Sequence, residues 1–249
     1  MKKTIFASAA LAVLGAGVNV AYAEEAAAQP EHAVAYNVGV TNDYRFRGIS
    51  QSQRDPAFSV GADYTHNPSG AYLGTWVSTI KWIKDSGGDG NTEVDLYGGK
   101  RGQLTDDLAY DVGAIYYYYP NHKLGSNPDA NTFEIYGQLG VGPAYLKLNY
   151  ALTDAFYTSN KAGSYYVDAG ANVPVADGLV LNLHAGYYYW KDATDYNYTD
   201  WKLGLTKDFG FVTAAIAYVG TNADKTLWNF GNKGFLGNNA GVVTLTKAF

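Results

Sequence analysis

The chain has 249 residues, of which 47% are hydrophobic and 15% aromatic, with 23 Tyr, no Cys and a formal net charge of −5. The acidic balance argues against nucleic-acid binding, and the absence of Cys excludes a disulfide-stapled scaffold. Beyond residue 23 nothing offers the ~20 consecutive apolar residues of a spanning helix, so a chain this apolar and aromatic is expected to enter a bilayer by strands.

Met1-Lys2-Lys3, an apolar run from Ile5 to Val20 and the small-residue site Ala21-Tyr22-Ala23 are the three parts of a cleavable secretory signal. An uncleaved anchor is the alternative, but Gly15, Gly17 and Asn19 interrupt the run. Cleavage after Ala23 leaves 16 basic against 23 acidic residues, a net charge of −7. Residues 24–33 are read as a short periplasmic segment and 34–249 as one domain.

That domain opens with Val34, Tyr36, Val38, Val40, Tyr44 and Phe46 on even positions and Asn37, Thr41, Asp43, Arg45 and Arg47 on odd ones, a strand with one greasy and one charged face. Two-faced segments follow at roughly 57–66, 71–83, 92–101, 108–119, 132–141, 144–153, 164–174, 179–191, 196–207, 211–221 and 240–249. In the 71–83 segment the polar face carries Thr75, Thr79 and Lys81, with Leu73 and Val77 intruding. About twelve strands with lipid outside and water inside predict an all-β, antiparallel, up-and-down transmembrane β-barrel.

Connections alternate in length, as they do between periplasmic turns and external loops. The links at 66–70, 104–107, 142–143, 176–178 and 208–210 are brief, whereas those around 51–55, 85–91, 121–131, 156–161, 192–195 and 222–239 are mostly longer and rich in Gly, Asn and Asp. Both termini then lie on the periplasmic side. A hairpin about Gly142-Pro143 places Leu139 opposite Leu146 and Gln138 opposite Lys147, which keeps both faces pure. The 222–239 link carries Leu227, Trp228, Phe230, Phe235 and Leu236, so it either folds inward or stands out as a contact surface. The runs Tyr116–Tyr119 and Tyr187–Trp190 end outward-going strands, where headgroup anchoring is expected; their alternate members Tyr117, Tyr119, Tyr188 and Trp190 face the lumen, where sugar or nucleoside stacking is the other reading. The last strand places Val243, Leu245 and Phe249 on the lipid face and Thr244 and Thr246 on the other, with Lys247 snorkelling on the lipid side. Its terminal aromatic marks the chain for the barrel-assembly machinery of a Gram-negative outer membrane, whose lipid and lipopolysaccharide surround the product.

The segment Asp43-Tyr44-Arg45-Phe46-Arg47-Gly48-Ile49-Ser50-Gln51 resembles the TorF porin family, as do Gly74-Thr75-Trp76-Val77-Ser78, Glu93-Val94-Asp95-Leu96-Tyr97-Gly98-Gly99 and Tyr117-Tyr118-Tyr119-Pro120. The resemblance implies an outer-membrane barrel with a pore role and supplies neither a substrate nor catalytic residues.

Enzyme motifs are poor: there is no Gly-x-Ser-x-Gly, no His-Glu-x-x-His and no P-loop, and nothing marks a metal or cofactor site. His32 precedes the first strand, His66 sits at a periplasmic turn and His122 in an external loop, leaving His184 in the lumen. A barrel hydrolase could pair His184 with a lumenal Ser or Asp; a water-facing or salt-bridged His is the plainer reading. The face pattern assigns to the pore lining Asp43, Arg45, Arg47, Lys81, Glu93, Asp95, Asp111, Glu134, Lys147, Asp168, His184, Asp200 and Lys202, and Asp63 to the same face. Arg45, Arg47, Lys81, Glu93 and Asp95 would form a charged ring near the mouth, with Lys81 opposite Glu93. Twelve strands fall between filled small barrels and open porins, so the expectation is a narrow channel for passive diffusion of small hydrophilic solutes; a closed, non-conducting barrel acting through its external loops is the alternative.

Overall fold

The computed structural model describes residues 30–122, 130–156, 161–229 and 233–249; the expected signal segment and residues 24–29 lie outside them. The strands in chain order are β1 (His32–Thr41), β2 (Arg45–Phe46), β3 (Ile49–Ser50), β4 (Ala57–His66), β5 (Ala71–Thr79), β6 (Thr92–Gln103), β7 (Leu108–Tyr118), β8 (Thr132–Val141), β9 (Ala144–Ala151), β10 (Tyr165–Ala176), β11 (Leu179–Tyr189), β12 (Tyr198–Asp208), β13 (Thr213–Thr221) and β14 (Ala240–Ala248). A short helix, α1 (Trp82–Asp85), lies between β5 and β6. All strands except β2 and β3 pair antiparallel with their chain neighbours, and β14 pairs β1 to close a twelve-stranded barrel with no free edge.

Period-two alternation forms the wall. Val34, Tyr36 and Val38 of β1 and Leu146, Leu148 and Tyr150 of β9 stand outward and exposed, while Asn37 and Asn149 between them are buried inside. Such a continuous apolar exterior suits hydrocarbon rather than water. Aromatic pairs mark its rim near the long loops, Tyr116 on Tyr118 and Tyr165 on Tyr189, and Phe209, Phe211 and Phe249 are exposed at the short-turn end. The β8–β9 register pairs Leu139 with Leu146 and Gln138 with Lys147, as the sequence predicts. Backbone hydrogen bonds between Tyr36 and Phe249 fasten the last residue to the first strand.

Two features differ from the sequence reading. The first strand stops at Thr41 instead of running to Arg47, because the Asn42 side chain takes over the pairing with β14: its amide donates to the Gly241 carbonyl and its oxygen accepts from the Val243 N–H at 2.7 Å. The chain then turns into the barrel, and β2 and β3 form a hairpin inside it. The second difference is the face of β5, which is reversed. Leu73 is 64% exposed and faces out, while Tyr72 and Trp76 face in, where the Tyr72 hydroxyl donates to Asp111 and the Trp76 ring meets Tyr44 edge-on at 5.3 Å. β5 also ends at Thr79, not residue 83, and the chain continues into α1, whose Ile83 is fully buried.

The core therefore sits inside the barrel toward the long loops. One buried cluster gathers Tyr44, Trp76, Ile80, Ile83, Tyr117 and Tyr119; the other gathers Ile49, Tyr166, Tyr188, Trp190, Trp228 and Leu236. The described part of the 222–239 link folds inward: Trp228 packs on Trp190 and Tyr198 with centroids at 5.6 and 5.0 Å. Phe230 lies outside the described residues.

Candidate functional site: the lumen and its inserted hairpin

The inserted hairpin is built by local chemistry. Phe46-Arg47-Gly48-Ile49 is a two-residue turn with φ of +47° at Arg47 and +80° at Gly48, the positive pair that type I′ requires. Asp43 holds its base, accepting from Arg45 Nε at 2.7 Å and from Ser50 Oγ, while Ser52 Oγ accepts from the Tyr44 N–H. Arg45 Nη1 donates to the carbonyls of Gly48, Leu236 and Asn238, tying the hairpin to the 222–239 link. At Gly48 a Cβ would lie 2.6 Å from that of Asp200 on the wall, so Gly48→Ala is expected to displace the hairpin tip without unfolding the barrel, seen as altered near-ultraviolet circular dichroism with normal heat-modifiable migration.

Arg47 at the tip adopts a left-handed backbone that costs an ordinary side chain about 1–2 kcal/mol. Its guanidinium compensates by gripping Glu134 on β8 with two bonds, of 3.0 and 2.6 Å, among the rings of Phe46, Tyr166 and Tyr188 at 4.5 to 4.7 Å. Arg45 and Arg47 therefore do not lie on a strand-one face as expected; both belong to the hairpin, as does buried Asp43.

Lys81 is likewise moved from its expected place. It is exposed at the start of α1 and bonds Asp55 at 2.8 Å, while the β5–β6 register sets Glu93 opposite Ser78. Asp55 also takes Lys233 at 2.5 Å, so one carboxylate clasps three loops together. Hydrogen bonds from Lys233 and Lys81 hold the Asp55 carboxyl below the usual carboxylate range. With the folded value depressed, the clasp is complete above the unfolded value near ~3.9 and is lost as pH falls through the folded one. Asp55→Asn is expected to loosen the loops at neutral pH, raising hydrogen exchange in residues 80–91; unchanged exchange there would remove the clasp from the account.

Beneath Tyr44 lie Glu93 and Asp95. Glu93 accepts from the Tyr44 hydroxyl at 2.8 Å; Asp95 is fully buried with neither oxygen bonded among the described residues. The expected mouth ring of Arg45, Arg47, Lys81, Glu93 and Asp95 therefore does not form: two members are in the hairpin, one is outside and two are buried behind it.

Deeper in the barrel, His184 on β11 lies between Asp168 on β10, 2.8 Å from Nδ1, and Asp200 on β12, 2.7 Å from Nε2. Carboxylates only accept, so both ring nitrogens donate and neither faces a serine. Tyr166 donates to Asp200 at 2.8 Å and Tyr145 to Asp168 at 3.1 Å. Tyr166 lies so flat over Gly186 that a Cβ there would overlap its ring. Lys147 stands over the Tyr136 ring at 4.2 Å and faces Asp168 across the β9–β10 ladder; Lys202 is opposite His184. Below the hairpin, Arg47, Lys147, Asp168, His184, Asp200 and Lys202 line a cavity of about 120 Å³. The expected wall residues Asp111, Glu134, Lys147, Asp168, His184, Asp200 and Lys202 all face inward; Tyr44, expected on the greasy face of the first strand, is instead buried inside against Glu93, and Gln53, fully buried in the segment after the hairpin, has no counterpart in the sequence reading.

A family model matches residues 25–249. The chain belongs to the family described as bacterial protein of unknown function (Gcw_chp). This Gcw_chp member matches no curated protein by sequence. Its fold is that of solved porins: a KdgM porin in complex with disordered oligogalacturonate (TM-score 0.55, 8% identity, covering 87% of this chain and 98% of that one), KdgM alone (0.53, 7%, 87% and 97%) and a NanC porin (0.52, 13%, 87% and 99%).

Proposed function

We propose that the protein is an outer-membrane, porin-like channel for passive diffusion of small hydrophilic solutes, with the Arg45–Ser50 hairpin as its constriction. The observation that carries this reading is the polar cavity of about 120 Å³ beneath a hairpin held by ion pairs and hydrogen bonds rather than by wall strands. Polar contacts of that kind can rearrange without breaking the barrel ladder. The porin folds and the TorF resemblance support it. Signal cleavage after Ala23, recognition of the strand ending at Phe249 by the assembly machinery, and lipopolysaccharide around the long-loop rim belong to the same reading. The same reading takes the protein as a non-enzyme and His184 as a salt-bridged histidine between Asp168 and Asp200.

The alternative, a non-conducting barrel acting through its loops, is favoured by one observation: Ile83, Tyr119 and Leu236 are almost completely buried at the long-loop end of the lumen. Planar-bilayer recording separates the two. The parent should give small conductance steps, and replacing residues 45–50 by a Gly-Ser link should enlarge them. Silence from both proteins, with heat-modifiable migration proving that they are folded, would leave the loop-acting barrel. An epitope inserted after Asp224 should be reached by antibody on intact cells and one inserted at residues 104–107 should not; the reverse would invert the orientation.

A further inference from the structure

We propose that Glu31, His32 and His66 form a binding site for a divalent transition metal of the zinc class at the short-turn rim of the barrel. The two histidines are 34 residues apart in sequence, yet the β1–β4 register places them directly opposite one another, with ring centroids 5.1 Å apart. Each has its Nδ1 already engaged, His32 by the Tyr64 hydroxyl and His66 by Ser69 Oγ, both at 2.7 Å. With Nδ1 engaged by the serine hydroxyl, Nε2 is the His66 nitrogen turned toward Glu31. A hydroxyl or carbonyl on one nitrogen that fixes the tautomer and aims the other is the usual outer shell of a metal-bound histidine.

Glu31 Oε1 sits 3.5 Å from His66 Nε2 and 3.7 Å from His32 Nε2. These separations are long for hydrogen bonds. They are close to the ~3.3–3.4 Å between two donors held at about 2.0–2.1 Å on a tetrahedral ion. All three ligand atoms lie within 4.8 Å of one another. The backbone supports the arrangement: the Asn67 N–H donates to the Glu31 carbonyl at 3.0 Å and the Asn67 side chain to the Pro30 carbonyl at 2.6 Å, so the main chain at Glu31 is held beside His66. Two imidazoles and one carboxylate suit zinc, with a position left for water, and the exposed side chains leave an entry path. A bound ion would link Glu31, just before β1, and the first residue of β1 to the last residue of β4, at the end of the strand that β14 pairs to close the barrel. The site is independent of whether the lumen conducts.

The test uses the whole mature chain without a histidine tag, folded in detergent and stripped with chelator. Calorimetry with Zn²⁺ should give one equivalent per chain, and Co²⁺ should develop the visible absorption of a four-coordinate N/O site. His32→Ala and His66→Ala should each weaken binding by tenfold or more, Glu31→Gln should weaken it, and Ser69→Ala should weaken it by ~10-fold through the released imidazole. His122→Ala should bind as the parent does. All these positions lie at the barrel rim, and heat-modifiable migration checks that each variant is folded. Binding below one equivalent, or equal affinity in the parent and the His32/His66 double variant, would overturn the proposal and leave Glu31 as a solvated partner of two rim histidines.

Discussion

Arg47→Ala is expected to release the hairpin and convert brief, small conductance steps into larger, sustained ones. The variant removes both bonds to Glu134 and the contacts with three rings, and leaves a carboxylate that is 1% exposed with, among the described residues, the Tyr117 hydroxyl at 3.5 Å as its remaining hydrogen-bond partner. Breaking a buried ion pair from one side costs ~3–5 kcal/mol, because the remaining charge is unsatisfied. At about 1.4 kcal/mol per factor of ten, that shifts the balance between seated and released hairpin by at least ~100-fold. The barrel ladder does not depend on Arg47, so the effect should fall on conductance and not on folding. Arg47→Lys should sit between parent and Ala, since an ammonium keeps the charge but not the two-pronged grip. Adding Glu134→Gln to Arg47→Ala should recover part of the seated state by removing the orphaned charge. Bilayer traces for a folded Arg47→Ala protein that match the parent would show that this pair does not hold the constriction.

The wall was legible in the sequence because alternation is a signal each strand carries alone. Gln138 and Lys147 could be paired from a single turn, and the register agrees. The lumen was not legible, because its contents come from the loops. Alternation persists from Tyr44 to Arg47, so the segment reads as more strand; the positive φ at Arg47 and Gly48 that makes it a hairpin is announced only by one glycine. On β5 alternation alone assigns the aromatic face to lipid, but Trp76 packs on Tyr44, which reaches it from the inserted segment. A symmetric hairpin sets Lys81 opposite Glu93, whereas α1 consumes residues 82–85 and shifts the register so that Glu93 meets Ser78. His32 and His66 stand 34 residues apart in sequence, and the pairing of β1 with β4 brings them together.

Replacing Lys147 and Lys202 together by Glu should turn ion preference strongly toward cations. Both side chains line the cavity beneath the hairpin, so a permeating ion passes them in a narrow space walled by low-dielectric protein, where fixed charge acts over the whole cross-section. Asp168 and Asp200 line the same cavity, so the exchange sets four carboxylates against Arg45, Arg47 and His184. Each substitution exchanges a positive charge for a negative one. The change in reversal potential across a salt gradient should be largest in dilute salt and shrink as the screening length falls from ~10 Å at 0.1 M to ~3 Å at 1 M. Lys84→Glu, on the exposed side of α1, makes the same charge change outside the lumen and should have little effect. Glu93→Gln and Asp95→Asn should also change selectivity little, because both acids are sealed behind Tyr44 and not on the cavity wall. A double lysine variant with the parent's reversal potential would mean that ions do not cross this cavity.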